Sequence, residues 1–347
     1  MDRTRRRALV AMGGTAAGAG AALLGAGDAA AHAANPGAAS RAGAGTGGSA
    51  ARGRGRIAGA SLRGPYLDLL TPAGNVGAIA RLQGHLDLKS DRHTWYDGVV
   101  SAVVPGRQVQ NLFGFRGMAT SRLVPLEGEP GFRLLNREFG VYYDLATRAV
   151  LDRWHNPMLD ETVDVVHLAN DPVNHVIREW VSPPPVDRAA AAIKLERKPL
   201  QYDWRVQDDR LLMIRNVHLF YPNALDPQVW VRESSGPMVQ ASEYTSWNCA
   251  LDDMQDASLP AVDGIGNWTR VTPWLPWMLM GQAPGLCVYE CWIAKVTRYE
   301  QVPADIREVA EQRFPLYLKS PEKFVAGSGS SLENYARTQK PVPPKAR

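Results

Sequence analysis

The side chains best suited to chemistry lie between His167 and His175, in the sequence HLANDPVNH. They follow an alternating run that places Val163, Val165 and His167 on one strand face, and mouths of β-barrels commonly carry functional groups. An imidazole near a carboxylate suits general-base chemistry, with His167 as the base and Asp171 orienting it. Two alternatives remain. Asn-Asp-Pro is ordinary turn chemistry, and His167, Asp171 and His175 offer metal donors at a spacing that is not diagnostic.

Two carboxylates in apolar strands are candidate acids. Glu138 follows Arg137, and alternation sends Glu243 to the strand face opposite Gln240 and Ser242. A carboxyl group inside a barrel has a raised pKa suited to acid–base work. The alternative is a structural ion pair with an arginine, Arg137 or Arg270. Three more polar residues are assigned to substrate binding: Asn170, Asn174 and Tyr244.

A tryptophan-rich stretch, NWTRVTPWLPWMLMG at residues 267–281, supplies the predicted apolar wall. Pro273 and Pro276 interrupt regular structure there, so Trp268, Trp274 and Trp277 must be buried or line a cavity. Arg270 would hold an anionic group of the substrate. The alternative for Arg270 is a side chain that extends from the domain surface into water.

No motif names a reaction. The sequence contains no Walker loop, HExxH, GxSxG or dinucleotide fingerprint, so we predict neither a metal nor a cofactor. The residues predict non-redox acid–base chemistry, such as hydrolysis, lyase cleavage or isomerisation, on a hydrophobic aromatic or isoprenoid-like small molecule. The alternative is a non-catalytic ligand-binding or carrier β-barrel, in which the histidine and carboxylates are paired structurally. A third, weaker hypothesis is a cofactor protein that is exported fully loaded.

The N-terminus predicts export. Three arginines from Arg5 to Arg7 precede a Gly/Ala-rich run, and Ala31-His32-Ala33 is a cleavage-type sequence, so residues 1–33 resemble a twin-arginine signal. The partner is then the twin-arginine translocase, and the location periplasmic or secreted. A basic disordered tail is the alternative. The run is too Gly-rich for a stable membrane span. Residues 34–60 are predicted to be a disordered linker.

The net charge of the sequence bears on nucleic acid as a partner. The formal charge is +4, and removal of residues 1–33 lowers it to +2, so the sequence gives no support to nucleic-acid binding. Cys249, Cys287 and Cys291 form no zinc pattern. We favour three buried free thiols over a disulfide between Cys249 and one of the others.

The elements that must position these residues are mostly short strands. Pro303 and Pro315 bracket one convincing helix. The predicted fold is therefore mainly β, an antiparallel β-barrel (calycin-like) or a sandwich with a late C-terminal helix. We expect one domain over residues 61–325 and a disordered tail over 326–347. The strands are predicted at residues 78–87, 95–104, 109–115, 132–144, 150–154, 162–168, 202–207, 210–219, 239–249 and 286–296.

Several sequence blocks resemble a known family. They are RLQGHLD (81–87), NLFGFRGM (111–118), LLNREFGVYYD (134–144), VVHLANDPVN (165–174), QASE (240–243) and WTRVTPWLPWMLMG (268–281). This pattern resembles domain of unknown function 1838, a bacterial and fungal family. The similarity spans nearly all of residues 76–318 and implies a single domain. It implies no particular chemistry.

Overall fold

A computed structural model describes residues 62–181, 197–325 and 331–344. The predicted signal (1–33) and linker (34–60) lie outside the described residues. The helices are α1 Pro72–Gln83, α2 Leu251–Gln255, α3 Ala304–Arg313 and α4 Ser331–Thr338. The strands are β1 Arg92–Val103, β2 Gln110–Pro125, β3 Gly131–Tyr143, β4 Arg153–Asn156, β5 Glu161–Asp164, β6 Leu168–Arg178, β7 Trp180–Val181, β8 Lys198–Pro199, β9 Asp203–Gln207, β10 Arg210–Pro222, β11 Met238–Ala250, β12 Gly264–Thr272 and β13 Leu286–Val296.

One antiparallel sheet of nine strands dominates the molecule, in the order β6-β3-β2-β1-β13-β12-β11-β10-β9. It curls into a half-barrel, with β6 and β9 as its edges. The mainly β prediction is confirmed. β1 pairs with β13 from His93 opposite Val296 to Val103 opposite Leu286. The first and the last strand of the sheet in chain order are therefore neighbours inside it. Two smaller pairs, β4-β5 and β7-β8, lie outside this sheet.

The sheet has two differently covered faces, because side chains alternate along each strand. One face packs against α3, where Phe139 stacks on Phe314 at 4.6 Å between ring centroids. We call the other the cavity face; it carries Trp268, Arg270 and Tyr289. The same alternation turns Trp292 away from the cavity face, and 60% of its surface is exposed.

The predicted strand over residues 78–87 is wrong, because residues 72–83 form helix α1. Thr71 caps this helix by accepting a hydrogen bond from the Gly74 N–H at 3.1 Å, and Pro72 occupies the first turn. These are common helix-start residues. Arg81 is fully buried and donates to four backbone carbonyls of residues 253–259, which ties α1 to α2.

The tryptophan-rich stretch is more regular than predicted. Its first part belongs to strand β12, and irregular backbone begins after Thr272. A short 3-10 turn over Pro276–Met278 then holds Trp277. The helix bracketed by Pro303 and Pro315 is confirmed as α3.

The C-terminal region differs from the disordered tail predicted for residues 326–347. Residues 331–338 form α4, in which Tyr335 is 7% exposed and packs against Trp230 at 5.7 Å between ring centroids. Leu332 and Ala336 also pack against the core, but both are only partly buried. Few apolar side chains among polar neighbours explain why the pattern suggests a solvated tail. Among the described helices, none combines the length and apolar character needed to cross a membrane.

The three cysteines are free and buried, as the favoured interpretation predicts. Burial raises the pKa of the Cys249 thiol to about 11 and that of Cys287 to about 12. These thiols are therefore neutral, apolar core groups rather than nucleophiles.

Candidate functional site

A cavity lies against the cavity face, where three segments cover the sheet: residues 273–277, the connection from β10 to β11, and α4. It measures about 120 Å³, counted as space open to the centres of water molecules. One water needs roughly 10–15 Å³ on this measure, so the cavity holds several waters or an organic molecule. Its aromatic lining residues are Phe115, Tyr142, Tyr221, Trp268, Trp274, Trp277, Tyr289 and Tyr335.

The three tryptophans predicted to form a wall all line this cavity. Trp277 packs against Tyr142 at 5.0 Å between ring centroids, and Trp268 packs edge-on against Tyr289 at 5.6 Å. Trp274 is held by its indole N–H, which donates to the Ala283 carbonyl at 2.9 Å. The Trp268 indole nitrogen is buried and has no hydrogen-bond partner among the described residues. The wall is therefore rigid, and the Trp268 donor is left unsatisfied by the described residues.

Arg270 lines the cavity and donates a hydrogen bond to the Glu243 carboxylate. The two residues face each other across β11 and β12, and both are buried, at 9% and 4% exposure. Burial by itself lowers the pKa of Arg270, but attraction to Glu243, its hydrogen bond with that carboxylate and the contributions of Tyr221 and Tyr289 together outweigh burial, and the pKa is raised overall. The alternative of a structural ion pair thus describes Glu243 better than a free acid does.

Two tyrosines form a hydrogen-bonded pair beside this ion pair. The hydroxyl oxygens of Tyr142 and Tyr289 are 3.0 Å apart. Burial raises the pKa of Tyr142 to about 12 and that of Tyr289 well above its ordinary value. Both phenols are therefore neutral at pH 7 and can donate hydrogen bonds but not act as phenolate bases.

His167 lines the cavity, but its environment differs from that of the predicted general base. The Tyr142 N–H donates to Nδ1 at 3.3 Å, which places the proton of the neutral ring on Nε2. Burial lowers the pKa of His167 to about 4, aided by Arg313 and partly opposed by Asp152. Nε2 is buried with no hydrogen-bond partner among the described residues. In this geometry His167 is a neutral donor.

The predicted pairing of Asp171 with His167 is wrong. Asp171 instead accepts a hydrogen bond from Nε of Arg137 at 2.8 Å. Arg137 also lies within reach of the Lys319 carbonyl, on the side of the sheet that α3 covers. Asn170 and Asp171 are adjacent in β6, so alternation sends them to opposite faces.

Glu138 and Asn170 form a buried pair at the cavity edge. They lie opposite each other in β3 and β6, and Nδ2 of Asn170 donates to Glu138 at 2.7 Å. Asn170 lines the cavity, whereas Glu138 lies behind it and is fully buried. Asn170 also contacts the Ser331 hydroxyl at 3.2 Å, which fixes the start of α4 over the cavity.

Two residues assigned to substrate binding do not line the cavity. Asn174 donates to the Val325 carbonyl at 2.9 Å. Tyr244 follows Glu243 in β11, so its side chain takes the opposite face, where it is 42% exposed and packs against His218.

The structure adds a carboxylate that the sequence interpretation missed. Glu233 lines the cavity and is 2% exposed. One oxygen, Oε1, accepts the Val342 N–H at 2.6 Å. The other, Oε2, is buried with no hydrogen-bond partner among the described residues. In the sequence, the only local sign of this role of Glu233 is its position three residues after Trp230, just before Ser-Ser-Gly.

The metal alternative receives no geometric support. Asp171 is engaged by Arg137, and no group of three or more His, Cys, Asp or Glu side chains in the described ranges is arranged to hold a metal ion. His175 is buried, and burial with repulsion from Arg215 and Lys295 lowers its pKa to about 3.

Comparison with known proteins identifies the family but not an activity. No curated protein matches the chain. The profile of one family, described as protein of unknown function (DUF1838), matches residues 89–339. This region includes the whole nine-stranded sheet and α4, and it covers well over half of the chain. The chain therefore belongs to the DUF1838 family.

Proposed function

We propose that the protein binds a small, mainly apolar aromatic molecule in this cavity without transforming it. The observation that carries the proposal is the pair of buried donors in the lining, the Trp268 indole N–H and Nε2–H of His167. A buried donor without a partner costs about 1–3 kcal/mol. A ligand with hydrogen-bond acceptors recovers that free energy, while the aromatic walls contribute apolar contact.

The charges argue against the anionic ligand expected from Arg270. Its guanidinium is already neutralised by Glu243, and Glu233 adds a further formal negative charge at the lining. An anion would meet no uncompensated cation among these groups. The proposed ligand is therefore not an anion.

A matched pair of tryptophan variants tests the binding proposal. Native mass spectrometry of the purified full chain first identifies retained molecules, and isothermal titration then measures their affinity. We expect Trp268→Phe to weaken binding about tenfold, the value of one good hydrogen bond. Trp292→Phe is the control, since Trp292 lies on the other face and is 60% exposed. Equal affinity of wild type and Trp268→Phe would contradict the assignment of this site.

An acid–base enzyme is the second candidate, favoured by the Tyr142–Tyr289 pair. A neutral buried phenol can donate a proton to a developing oxyanion in hydrolysis, lyase cleavage or isomerisation. This candidate requires turnover of a bound compound that Tyr289→Phe abolishes while the affinity stays within a fewfold of wild type. If the bound compound is recovered chemically unchanged after long incubation, the binding protein is favoured.

The place of action is a further part of the proposal. We propose that the chain reaches the periplasm or the exterior through the twin-arginine translocase. The support is the arginine cluster at residues 5–7 and the Ala-His-Ala sequence at 31–33.

A further inference from the structure

Glu233 has an arrangement that the proposed ligand does not yet explain. It sits in the connection between β10 and β11, and its carboxylate is bound through Oε1 to the backbone of the C-terminal segment at Val342. The other carboxylate oxygen, Oε2, is buried and has no hydrogen-bond partner among the described residues. A buried carboxylate oxygen without a partner is costly, more so than a neutral group.

The other charges at the cavity do not compensate Glu233. Among the described residues that line the cavity, Arg270 is the cation, and its hydrogen bond goes to Glu243. His167 is neutral at pH 7, since burial lowers its pKa to about 4. Counted formally, Arg270, Glu243 and Glu233 together carry one negative charge. A cationic ligand group would balance it.

An aromatic ring lies near the same carboxylate. Tyr335 of α4 lines the cavity and packs edge-on against Trp230. Glu233 lines the same cavity, and its negative charge adds to burial in raising the pKa of Tyr335. A carboxylate beside an aromatic ring is a favourable setting for an organic ammonium group.

We propose that Glu233 forms the subsite for the protonated amine of an aromatic amine ligand, with Tyr335 beside it. This inference rests on the proposed binding function and names the class of its ligand. The ring of the ligand packs among the tryptophans, and its ammonium group donates to Oε2 of Glu233. A bare metal ion fits less well, because the described residues place no group of three metal-binding side chains together.

A charge series with one ring tests the inference: 2-phenylethylamine, 2-phenylethanol and phenylacetate, titrated into the full chain at pH 7. We expect the amine to bind at least tenfold tighter than the alcohol, and the alcohol tighter than the acid. Glu233→Gln should reduce the amine affinity to that of the alcohol and change the alcohol affinity less than threefold. Asp226→Asn, an exposed carboxylate of the same connection, is the control and should change neither.

The outcomes separate this inference from the function on which it rests. Equal affinity of the wild type for amine and alcohol overturns the Glu233 subsite and leaves the aromatic cavity in place. An unchanged amine affinity in Glu233→Gln does the same. If none of the three compounds binds at millimolar concentration, the proposed binding function fails as well. Should Glu233→Gln not fold, the comparison of amine with alcohol on the wild type decides, because it needs no variant.

Discussion

Arg270 and Glu243 are the most consequential ion pair at the residue scale, because both lie out of water. Replacing Glu243 by Gln leaves a buried guanidinium without its counter-charge. We expect a loss of about 3–5 kcal/mol in the free energy of unfolding, measured by urea denaturation. A double variant with Met at both positions should lose less than the single one, since neither charge then remains buried.

An exposed ion pair provides the control for this measurement. Asp203 and Arg205 are 3.1 Å apart, but their side chains are 55% and 65% exposed. We expect Asp203→Asn to cost less than about 1 kcal/mol. If Glu243→Gln costs no more than this control, the pair at the cavity is not a buried one.

His167 gives the protein a predictable pH dependence. Its folded-state pKa, about 4, lies below the ordinary 6.5, so the unfolded chain binds more protons between these values. The stability that the neutral ring contributes is fully present above pH 6.5 and is lost as the pH falls toward 4. We expect His167→Gln, which keeps an acceptor for the Tyr142 N–H, to reduce the slope of unfolding free energy against pH in this window.

Other histidines account for the slope of unfolding free energy against pH that remains in His167→Gln, and one of them provides a control. His175, with a pKa near 3, and His93, whose pKa burial also lowers, should retain their share of the dependence in His167→Gln. His155→Gln is the control at a solvent-accessible site, because the His155 side chain is 58% exposed. A wild-type stability that does not fall between pH 6.5 and 4 would show that His167 is not buried in its neutral form.

Alternation explains which candidate site residues could be recognised from sequence. Trp268 and Arg270 are two apart in one strand, so both reach the same face, and both line the cavity. Glu243 and Tyr244 are adjacent, so no strand can place both there. The strand pattern does not predict the ion-pair partners of these residues. Asp171 pairs with Arg137 of another strand, and this pairing depends on sheet register.

At the element scale, α1 shows how local signals compete. The alternating residues after Val76 suggest a strand, but Thr71 and Pro72 provide a helix start. We expect Thr71→Ala to cost about 1 kcal/mol of unfolding free energy, because the Gly74 N–H loses its acceptor. Thr71→Ser keeps the hydroxyl and should stay near wild type. Equal stability of the Ala and Ser variants would contradict the capping role.

Helix α4 is one of the segments that cover the cavity, and Tyr335 is its buried residue. Tyr335 packs against Trp230, whereas Arg337 is exposed and donates a local hydrogen bond to Asn334. We expect Tyr335→Ala to speed amide hydrogen exchange across residues 331–338 at least tenfold, while strands β1 and β13 keep their protection. Arg337→Ala is the matched control and should leave the exchange of α4 within about threefold of wild type. Uniform faster exchange in the whole sheet would show that α4 is part of the core rather than a separate cover.

At the scale of the whole molecule, the two parts of the nine-stranded sheet are joined by the strand pair that is most distant in sequence. β1 and β13 pair along their full lengths although about 190 residues separate them. Strand patterns predict the individual strands, and Leu286–Val296 matches the prediction at both ends. They do not predict which strands become neighbours, because pairing between strands so distant in sequence is set by the packing of both faces of the sheet. The sequence therefore predicts the mainly β fold class but not the strand order of the half-barrel.

Export is a property of the whole chain and can be separated from its fold. Changing Arg5, Arg6 and Arg7 to Lys preserves the charge but removes the guanidinium groups that a twin-arginine signal requires. We expect the cell fraction outside the cytoplasm to lose the protein, measured by immunoblotting of fractions. The control changes Arg52, Arg54 and Arg56 to Lys in the predicted linker, three equally conservative substitutions that should leave export intact. If both triple variants are exported like the wild type, the twin-arginine proposal is wrong. If the wild type itself stays in the cytoplasm, the proposal is also wrong, and the ligand must be sought among cytoplasmic molecules.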